Sequence, residues 1–192
     1  VRNLEARMGL DLLIRAVALL RQHIPEILLL VGGAGSLRSM LESLVTSLGL
    51  QDHVRFLGYI PDAALPMYYQ AADAFVLPTR ELEGFGLVTV EALACGTPVL
   101  GTAVGATPEI LRPLDLSLMF SDLTPPAMAD GLQRFLDASA RDPQAGRRLR
   151  EACRTYASTH YAWDSSIRRM EATLSELVAG QTPGRAEVTQ RA

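Results

Sequence analysis

A cycle of short apolar run, glycine-containing loop and helical pattern repeats along the first part of the chain. The apolar runs predict strands at 27–31, 54–57, 74–77 and 98–100, and the patterns between them predict helices at 10–23, 37–48, 62–71 and 87–95, the second of them capped by Ser36. Strands that alternate with helices through short links form a parallel sheet covered by helices. The sequence therefore predicts an α/β fold with a Rossmann-like, doubly wound parallel sheet.

After the last of these strands the pattern becomes mainly helical. A short helix near 109–111 and a further strand at 117–120 precede helices predicted over 127–138, 145–159 and 163–178. We expect Trp163 to anchor the last helix to the body of the protein. Residues 179–192 lack periodicity and predict a disordered tail. The prediction is thus one domain over 1–178 with C-terminal helices.

The chain opens in a loop that leads into a helix, whereas a Rossmann-like sheet begins with a strand that lies near its centre. We therefore expect the first strand to lie upstream of residue 1. A domain with that strand restored should be more stable than this chain alone.

Composition excludes several classes of protein. The net charge is −3 and the 18 basic residues are all arginine, so no broad basic field predicts binding to nucleic acid. Cys95 and Cys153 lie in helical patterns without the spacing of metal ligands, which favours a reducing compartment. No apolar run reaches the length of a membrane span. We expect a cytoplasmic protein.

Two carboxylates, Glu83 and Glu91, flank the turn Gly84-Phe85-Gly86 and the start of the helix that follows it. Glycines let a ligand approach the main chain, and a helix start presents unpaired N–H groups with a partial positive charge. The apolar neighbours of Glu91 predict a partly buried carboxylate. This arrangement fits an extended ligand with an anionic middle and hydroxyls at both ends, which is the shape of a nucleotide-sugar.

A series of segments resembles, in order, the C-terminal half of a GT-B-fold retaining glycosyltransferase of family 4 type. The segments are VRNLEARMG, LLLVGGAGS, VRFLGYI, AADAFVLPT, EGFGLVTVEALACGTPV, GATPEI and a late YAWD. The resemblance extends from residue 1 to about residue 178. It implies that the fold is one of the two Rossmann-like halves of such an enzyme.

The resemblance implies roles for the matched positions. Glu83 is similar to the family glutamate beside the donor sugar and is the implied catalytic residue, whereas Glu91 is similar to the glutamate that holds the ribose hydroxyls. The main chain that would face the sugar and the diphosphate belongs to Gly84, Phe85, Gly86, Leu87 and Val88. The turn after the second strand is matched by Gly32 and Gly33, and the segment that meets the nucleobase is matched by Tyr59 and Ile60.

The sequence departs from the family pattern at the phosphate clamp. Asn3 and Met8 stand where an arginine and a lysine are usual, while Arg2 and Arg7 are each one residue away. We predict that Arg7 clamps the diphosphate, with Arg2 as the second candidate, because a guanidinium suits phosphate. A second departure is Ala106, where a glycine is common, and it argues against a close approach of the backbone in that loop.

The resemblance implies transfer of a sugar, with retention of configuration, from a nucleoside diphosphate sugar of the UDP or GDP type. The acceptor would be bound by an N-terminal domain of the same polypeptide, outside this chain. No metal or other cofactor is implied. Peripheral association with a membrane would occur through that other half. The chain alone is expected to bind nucleotide weakly and to turn over little or nothing.

Other functions remain open at this point. The same fold serves sugar-nucleotide epimerases and hydrolases, which would need further acid and base groups that the sequence does not identify. A non-catalytic module that binds nucleotide-sugars is another alternative. A receiver-like regulatory domain is disfavoured, because the loop after 27–31 offers glycines where an acidic cluster would be needed.

Overall fold

The computed structural model describes residues 3–179, in which helices and short strands alternate as predicted. The strands are β1 (Leu29–Gly32), β2 (Val54–Gly58), β3 (Phe75–Leu77) and β4 (Val99–Gly101). The helices are α1 (Leu10–Leu20), α2 (Arg38–Ser47), α3 (Leu65–Ala71), α4 (Leu87–Ala94), α5 (Thr107–Leu111), α6 (Pro125–Arg141), α7 (Pro143–Tyr161) and α8 (Trp163–Val178). Arg2 and residues 180–192 of the predicted tail lie outside the described residues.

The four strands form two parallel pairs. Leu29 lies opposite Val54 in the first pair, and Phe75 lies opposite Val99 in the second. Parallel strands need crossover connections, which α2 and α4 supply here. The predicted α/β class with a parallel sheet is confirmed.

The predicted strand at 117–120 is wrong. Leu116–Leu118 forms a 3-10 turn, and the Asp115 side chain accepts a hydrogen bond from the Ser117 N–H at 2.8 Å. Such a local side-chain bond competes with strand pairing. What remains of the strand is a single bridge between Met119 and Gly101.

Ser36 does not cap α2, contrary to the prediction. The helix begins at Arg38, and its N-cap position is taken by Leu37, which makes no side-chain capping bond. The chain between β1 and α2 is held instead by main-chain bonds to Leu4, whose N–H donates to the Ala34 carbonyl and whose carbonyl accepts from the Leu37 N–H.

A cavity of about 320 Å³ separates β1 from β3. Within the described residues β1 pairs only with β2, and β3 pairs only with β4. The Leu28 and Leu30 side chains border the cavity and remain 44% and 42% exposed. Helices α1 and α6 pack across one face of both pairs, with Leu13, Leu20, Met128 and Leu132 in their shared core.

Two arginines of α7 bind the carboxyl ends of two other helices. Arg150 donates to the Ala72 carbonyl after α3 at 2.5 Å and to the Gly96 carbonyl after α4 at 3.5 Å. Arg154, one turn further along, donates to the Cys95 carbonyl at 3.3 Å. Cations are favourable at helix C-termini, where carbonyl groups lack partners. Helix α7 is therefore fixed to the layer that carries α4.

Helix α8 leaves an apolar stripe uncovered. None of its residues is buried. The stripe consists of Trp163, Ile167, Met170, Leu174, Leu177 and Val178, which are 47–89% exposed. The expectation that Trp163 anchors this helix is wrong for the described chain, because its side chain is 81% exposed. No helix within residues 3–179 is both long and apolar enough to cross a membrane.

Residues 3–9 cross the carboxyl ends of β1 and β3. Leu4 bonds to the loop after β1, and the Arg7 carbonyl accepts a hydrogen bond from the Arg80 N–H in the loop after β3. Gly9 has φ +67° and lies so close to Pro78 that a Cβ would stand 1.9 Å from its carbonyl oxygen. The segment thus brings Arg7 to the loop that contains Glu83.

Candidate functional site

The loop between β3 and α4 ends in a left-handed glycine. Gly86 has φ 75° and ψ 52° and stands at the N-cap of α4, where no side chain caps the helix. The N–H groups of the first turn of a helix have no partners within the helix. Leu87 and Val88 lie in this first turn. The main chain that was predicted to face a diphosphate therefore includes the start of α4, which no side chain caps.

The Glu83 carboxylate is held from within its own loop. The Thr79 hydroxyl donates a hydrogen bond to Glu83 Oε2 at 2.8 Å, and Thr79 is completely buried. Thr102 Oγ1 in turn donates to the Thr79 carbonyl at 2.6 Å. A carboxylate with a fixed hydrogen-bond partner keeps a fixed direction. Glu83 is half-buried.

Glu91 lies on α4 with its side chain exposed. The prediction that it is partly buried is wrong. The core-facing side of α4 is formed by Thr89, Ala92 and Leu93, and Glu91 projects from another side of the helix. The Tyr69 hydroxyl donates to Glu91 Oε2 at 3.3 Å. Tyr69 is only 3% exposed, so this bond ties an exposed carboxylate to a rigid ring.

The Arg7 guanidinium contacts the loop just before Glu83. Its Nη1 donates to the Leu82 carbonyl at 3.0 Å, and its Nε donates to Glu5 Oε2 at 3.0 Å. Leu82 has φ 55°, a conformation that costs a residue other than glycine about 1–2 kcal/mol. The hydrogen bond from Arg7 to the Leu82 carbonyl helps to hold Leu82 in this conformation. Asn3 is exposed and Met8 is buried, and neither of these uncharged side chains supplies a cation.

The backbone at Gly105 approaches the Glu83 carbonyl closely. A Cβ at Gly105 would stand 1.9 Å from the Glu83 oxygen, and the Ala106 N–H donates to the Gly84 carbonyl at 3.3 Å. Gly105 thus provides a close approach of the backbone in this loop, beside Ala106. The loop after β4 therefore supports the loop that carries Glu83.

The predicted residues after β1 and β2 form a second group. The Gly33 N–H donates to the Gly58 carbonyl at 2.6 Å, and Gly33 has φ 121°. Tyr59 is 76% exposed, whereas the Ile60 side chain is 5% exposed and borders the cavity between β1 and β3. Only the main chain of Ile60 can meet a ligand. Residues 3–9 connect this group to Glu83 along the carboxyl ends of the strands, where doubly wound folds bind ligands.

The aromatic contacts of Phe85 were not predicted. Its ring centroid lies 5.7 Å from that of Tyr161, at an interplanar angle of 70°. The Tyr161 and Tyr156 hydroxyls are 3.3 Å apart. Burial, the hydrogen bond with Tyr156 and the negative charge of Glu109 raise the pKa of Tyr161, in that order of importance. The YAWD segment contains the signal, but Tyr161 rather than Trp163 makes the contact.

Two buried hydroxyls lie near the site without a hydrogen-bond partner in the described chain. They are Thr89 Oγ1 and Thr107 Oγ1. The Thr89 oxygen is 3.3 Å from the place where a Cβ of Gly86 would stand, so it lies under the turn at the start of α4. Across residues 3–179, no group of three or more His, Cys, Asp or Glu side chains is placed to hold a metal ion.

Known relatives and solved structures are similar to this chain over most of its length. It is 31% identical over 189 residues to the GDP-mannose-dependent alpha-(1-6)-phosphatidylinositol monomannoside mannosyltransferase of Mycolicibacterium smegmatis, covering 95% of this chain and 47% of that protein. It matches the sucrose-phosphate synthase of Thermosynechococcus elongatus with a TM-score of 0.77 and 32% identity, over 94% of this chain and 45% of that one. The chain thus spans about half the length of these proteins.

A third comparison concerns the fold alone. The C-terminal domain of a glycosyl transferase group 1 family protein from Francisella tularensis matches with a TM-score of 0.70 and 24% identity, over 84% of this chain and 83% of that domain. The predicted C-terminal half of a GT-B fold is confirmed. The family model of the glycosyl transferases group 1 matches residues 1–159. The chain therefore belongs to the glycosyl transferases group 1 family.

Proposed function

We propose that this chain is the donor-binding half of a retaining glycosyltransferase of family 4 type. The observation that carries the proposal is the placement of Glu83 and Glu91 on either side of the uncapped start of α4, with Arg7 against the same loop. A relative that is 31% identical is dependent on GDP-mannose, which supports a nucleoside diphosphate sugar as the donor. Both UDP and GDP donors agree with the site.

Each part of the site suits one part of such a donor. Glu83, oriented by Thr79, would accept hydrogen bonds from the sugar hydroxyls. The exposed carboxylate of Glu91 would accept those of the ribose. The N–H groups at the start of α4 would face the diphosphate between them. From Leu87 to Glu91 the helix rises about 6 Å, so its start can face the diphosphate while Glu91 faces the ribose of the same donor.

The diphosphate is the leaving group, and negative charge develops on it as the bond to the sugar breaks. Preorganised N–H groups and cations stabilise such charge most where water is excluded. A guanidinium carries five N–H donors, so Arg7 can keep its bond to the Leu82 carbonyl and still donate to phosphate. Arg2 remains the second candidate for this role. No step requires a metal ion or another cofactor.

The acceptor would bind to an N-terminal domain of the same polypeptide. This chain spans 47% of the mycobacterial relative, which leaves room for a second domain of similar size. Transfer would occur in the cleft between the two halves, so this chain alone should turn over little or no donor. We place the protein in the cytoplasm, with any membrane association made by the other half.

The first test is nucleotide binding to the two-domain polypeptide, measured by calorimetry with UDP and GDP. Glu91→Ala should weaken binding of the nucleotide that the unsubstituted protein prefers by tenfold or more, because hydrogen bonds to a charged group contribute about 1.5–3 kcal/mol. Glu83→Ala should lower the release of nucleotide from GDP-mannose or UDP-glucose far more than it lowers nucleotide affinity. Glu81→Ala, an exposed acid of the same loop, is the matched control.

Unchanged affinity of Glu91→Ala for both nucleotides would remove the ribose role, and full activity of Glu83→Ala would remove the catalytic one. The products separate the alternatives. Transfer yields a glycosylated acceptor, hydrolysis yields free sugar, and epimerisation yields an altered sugar with or without nucleotide. Binding without any product would support a non-catalytic module.

A further inference from the structure

An aromatic cluster joins the Glu83 loop to the corner between α7 and α8. The cluster consists of Phe85, Tyr156, His160 and Tyr161. Phe85 belongs to the loop before α4, and the other three belong to the last turns of α7. The chain segments that meet here are far apart in sequence. The contact therefore joins the loop to a distant part of the fold.

Phe85 is the only residue of the Gly84-Phe85-Gly86 turn that has a side chain to be held. A Cβ at Gly84 would meet no atom within 4 Å, so nothing packs against that residue from the side. Gly86 takes the left-handed conformation, which glycine enters and leaves at little cost. The conformation of this turn thus depends on the main-chain bond from the Ala106 N–H to the Gly84 carbonyl and on what holds the Phe85 ring.

The Tyr161 ring packs against one side of the Phe85 ring. The two centroids are 5.7 Å apart and the planes meet at 70°, which is the edge-to-face arrangement that aromatic pairs favour. Phe85 is still 49% exposed, so few other groups restrain it. Loss of the Tyr161 ring would leave the turn with its main-chain bond from the Ala106 N–H as a support.

Tyr161 is itself fixed in place. Its hydroxyl is 3.3 Å from that of Tyr156, and the two rings lie 5.7 Å apart at 76°. A tyrosine phenol is protonated at neutral pH, and burial raises the pKa of Tyr161 further, so the hydroxyl pair retains its hydrogen bond. Arg150 and Arg154 tie α7 to the ends of α3 and α4. The ring thus stands on a rigid support.

We propose that Tyr161 is a positioning residue of the donor site, whose ring holds Phe85 and thereby sets the turn at the start of α4. The proposal deepens the function proposed above and rests on it for its consequence in binding. It makes the end of α7 part of the site, with Tyr161 acting through Phe85.

The test uses the full two-domain polypeptide and two measurements. In the absence of nucleotide, Tyr161→Leu should increase hydrogen exchange several-fold in a peptide spanning 82–90 and leave peptides over β1 and β2 unchanged. In calorimetry, the same variant should bind UDP or GDP about three- to tenfold more weakly, as expected for one aromatic pair. Tyr161→Phe keeps the ring and should restore both values. Trp163→Leu, an exposed aromatic two residues later, should change neither.

Several results would overturn the proposal. One is a Tyr161→Leu protein with unchanged exchange at 82–90. Another is equal loss in Tyr161→Phe and Tyr161→Leu, because the ring would then not be the cause. Faster exchange over β1 and β2 as well would show a general loss of stability. If the unsubstituted protein binds neither UDP nor GDP, the proposed function fails, and the exchange measurement alone still decides whether Tyr161 sets the turn.

Discussion

Gly105 shows at the scale of one residue how an absent side chain positions Glu83. Its φ of +57° disfavours any other residue, and its Cα faces the Glu83 carbonyl so closely that a Cβ would overlap the oxygen. The overlapping atom is backbone, which cannot rotate away as a side-chain end would. The position of Glu83 therefore depends on a glycine that lies far from it in sequence.

Gly105→Ala should destabilise the protein by about 2 kcal/mol or more, because it adds left-handed strain to a backbone overlap. Gly146→Ala is the matched control. Gly146 lies inside α7, where a Cβ would meet only Ser139 at 4.0 Å, and alanine should stabilise the helix by about 0.5–1 kcal/mol. Urea unfolding of both variants measures the difference. Equal midpoints for the two would contradict the structural role of Gly105.

The sequence revealed part of the site at this scale. Glu83, Glu91 and the glycine turn were found because a short motif carries them. The exposure of Glu91 was predicted wrongly, because apolar neighbours in sequence do not decide which side of a short helix faces the core. Tyr161 was missed although the YAWD segment contains it, because its partner Phe85 is brought to it only by tertiary packing.

At the scale of elements, α7 acts as a brace for the ends of α3 and α4. Arg150 binds carbonyl oxygens from both, and Arg154 binds a third carbonyl beside them. Helical periodicity predicted α7, and the alternation of apolar runs with helical patterns predicted the order of β1 to β4 and α1 to α4 before it. It could not show that two arginines one turn apart serve as caps for other helices, since their sequence pattern is that of an ordinary solvated face.

Arg150→Met should lower the free energy of unfolding by about 1–3 kcal/mol, because two carbonyl groups lose a charged donor while most of the aliphatic packing is kept. Arg147→Met, an exposed arginine of the same helix, should change it by less than about 0.5 kcal/mol. Thermal unfolding of the two variants is the measurement. A loss of equal size in both would show that Arg150 does not act as a cap.

At the scale of the whole molecule, the described strands form two separate parallel pairs. The cavity between β1 and β3 is apolar, and helices α1 and α6 already cover one face of both pairs. We propose that a further parallel strand fills this place in the longer polypeptide, as the strand order of a Rossmann-like sheet requires. The alternation of strands and helices predicted the sheet. The separation of its two pairs became visible only in three dimensions.

Restoring such a strand ahead of residue 1 should raise the midpoint of denaturant unfolding. Covering the exposed parts of Leu28 and Leu30 alone would contribute roughly 2 kcal/mol. The comparison is between this chain, the chain extended by the upstream segment of the natural polypeptide, and the chain extended by a segment of equal length with charged residues at the apolar positions. Equal midpoints for the three proteins would defeat the idea.

The uncovered stripe of α8 has a practical consequence for work on this half alone. Six apolar side chains face water along one side of a helix that makes few other contacts. In concentrated solution such a surface favours self-association of the protein. The apparent mass should therefore be measured by light scattering at several protein concentrations before the stoichiometry of nucleotide binding is calculated. Polar replacements along the stripe, rather than changes near Glu83, are the place to begin when a well-behaved sample is needed.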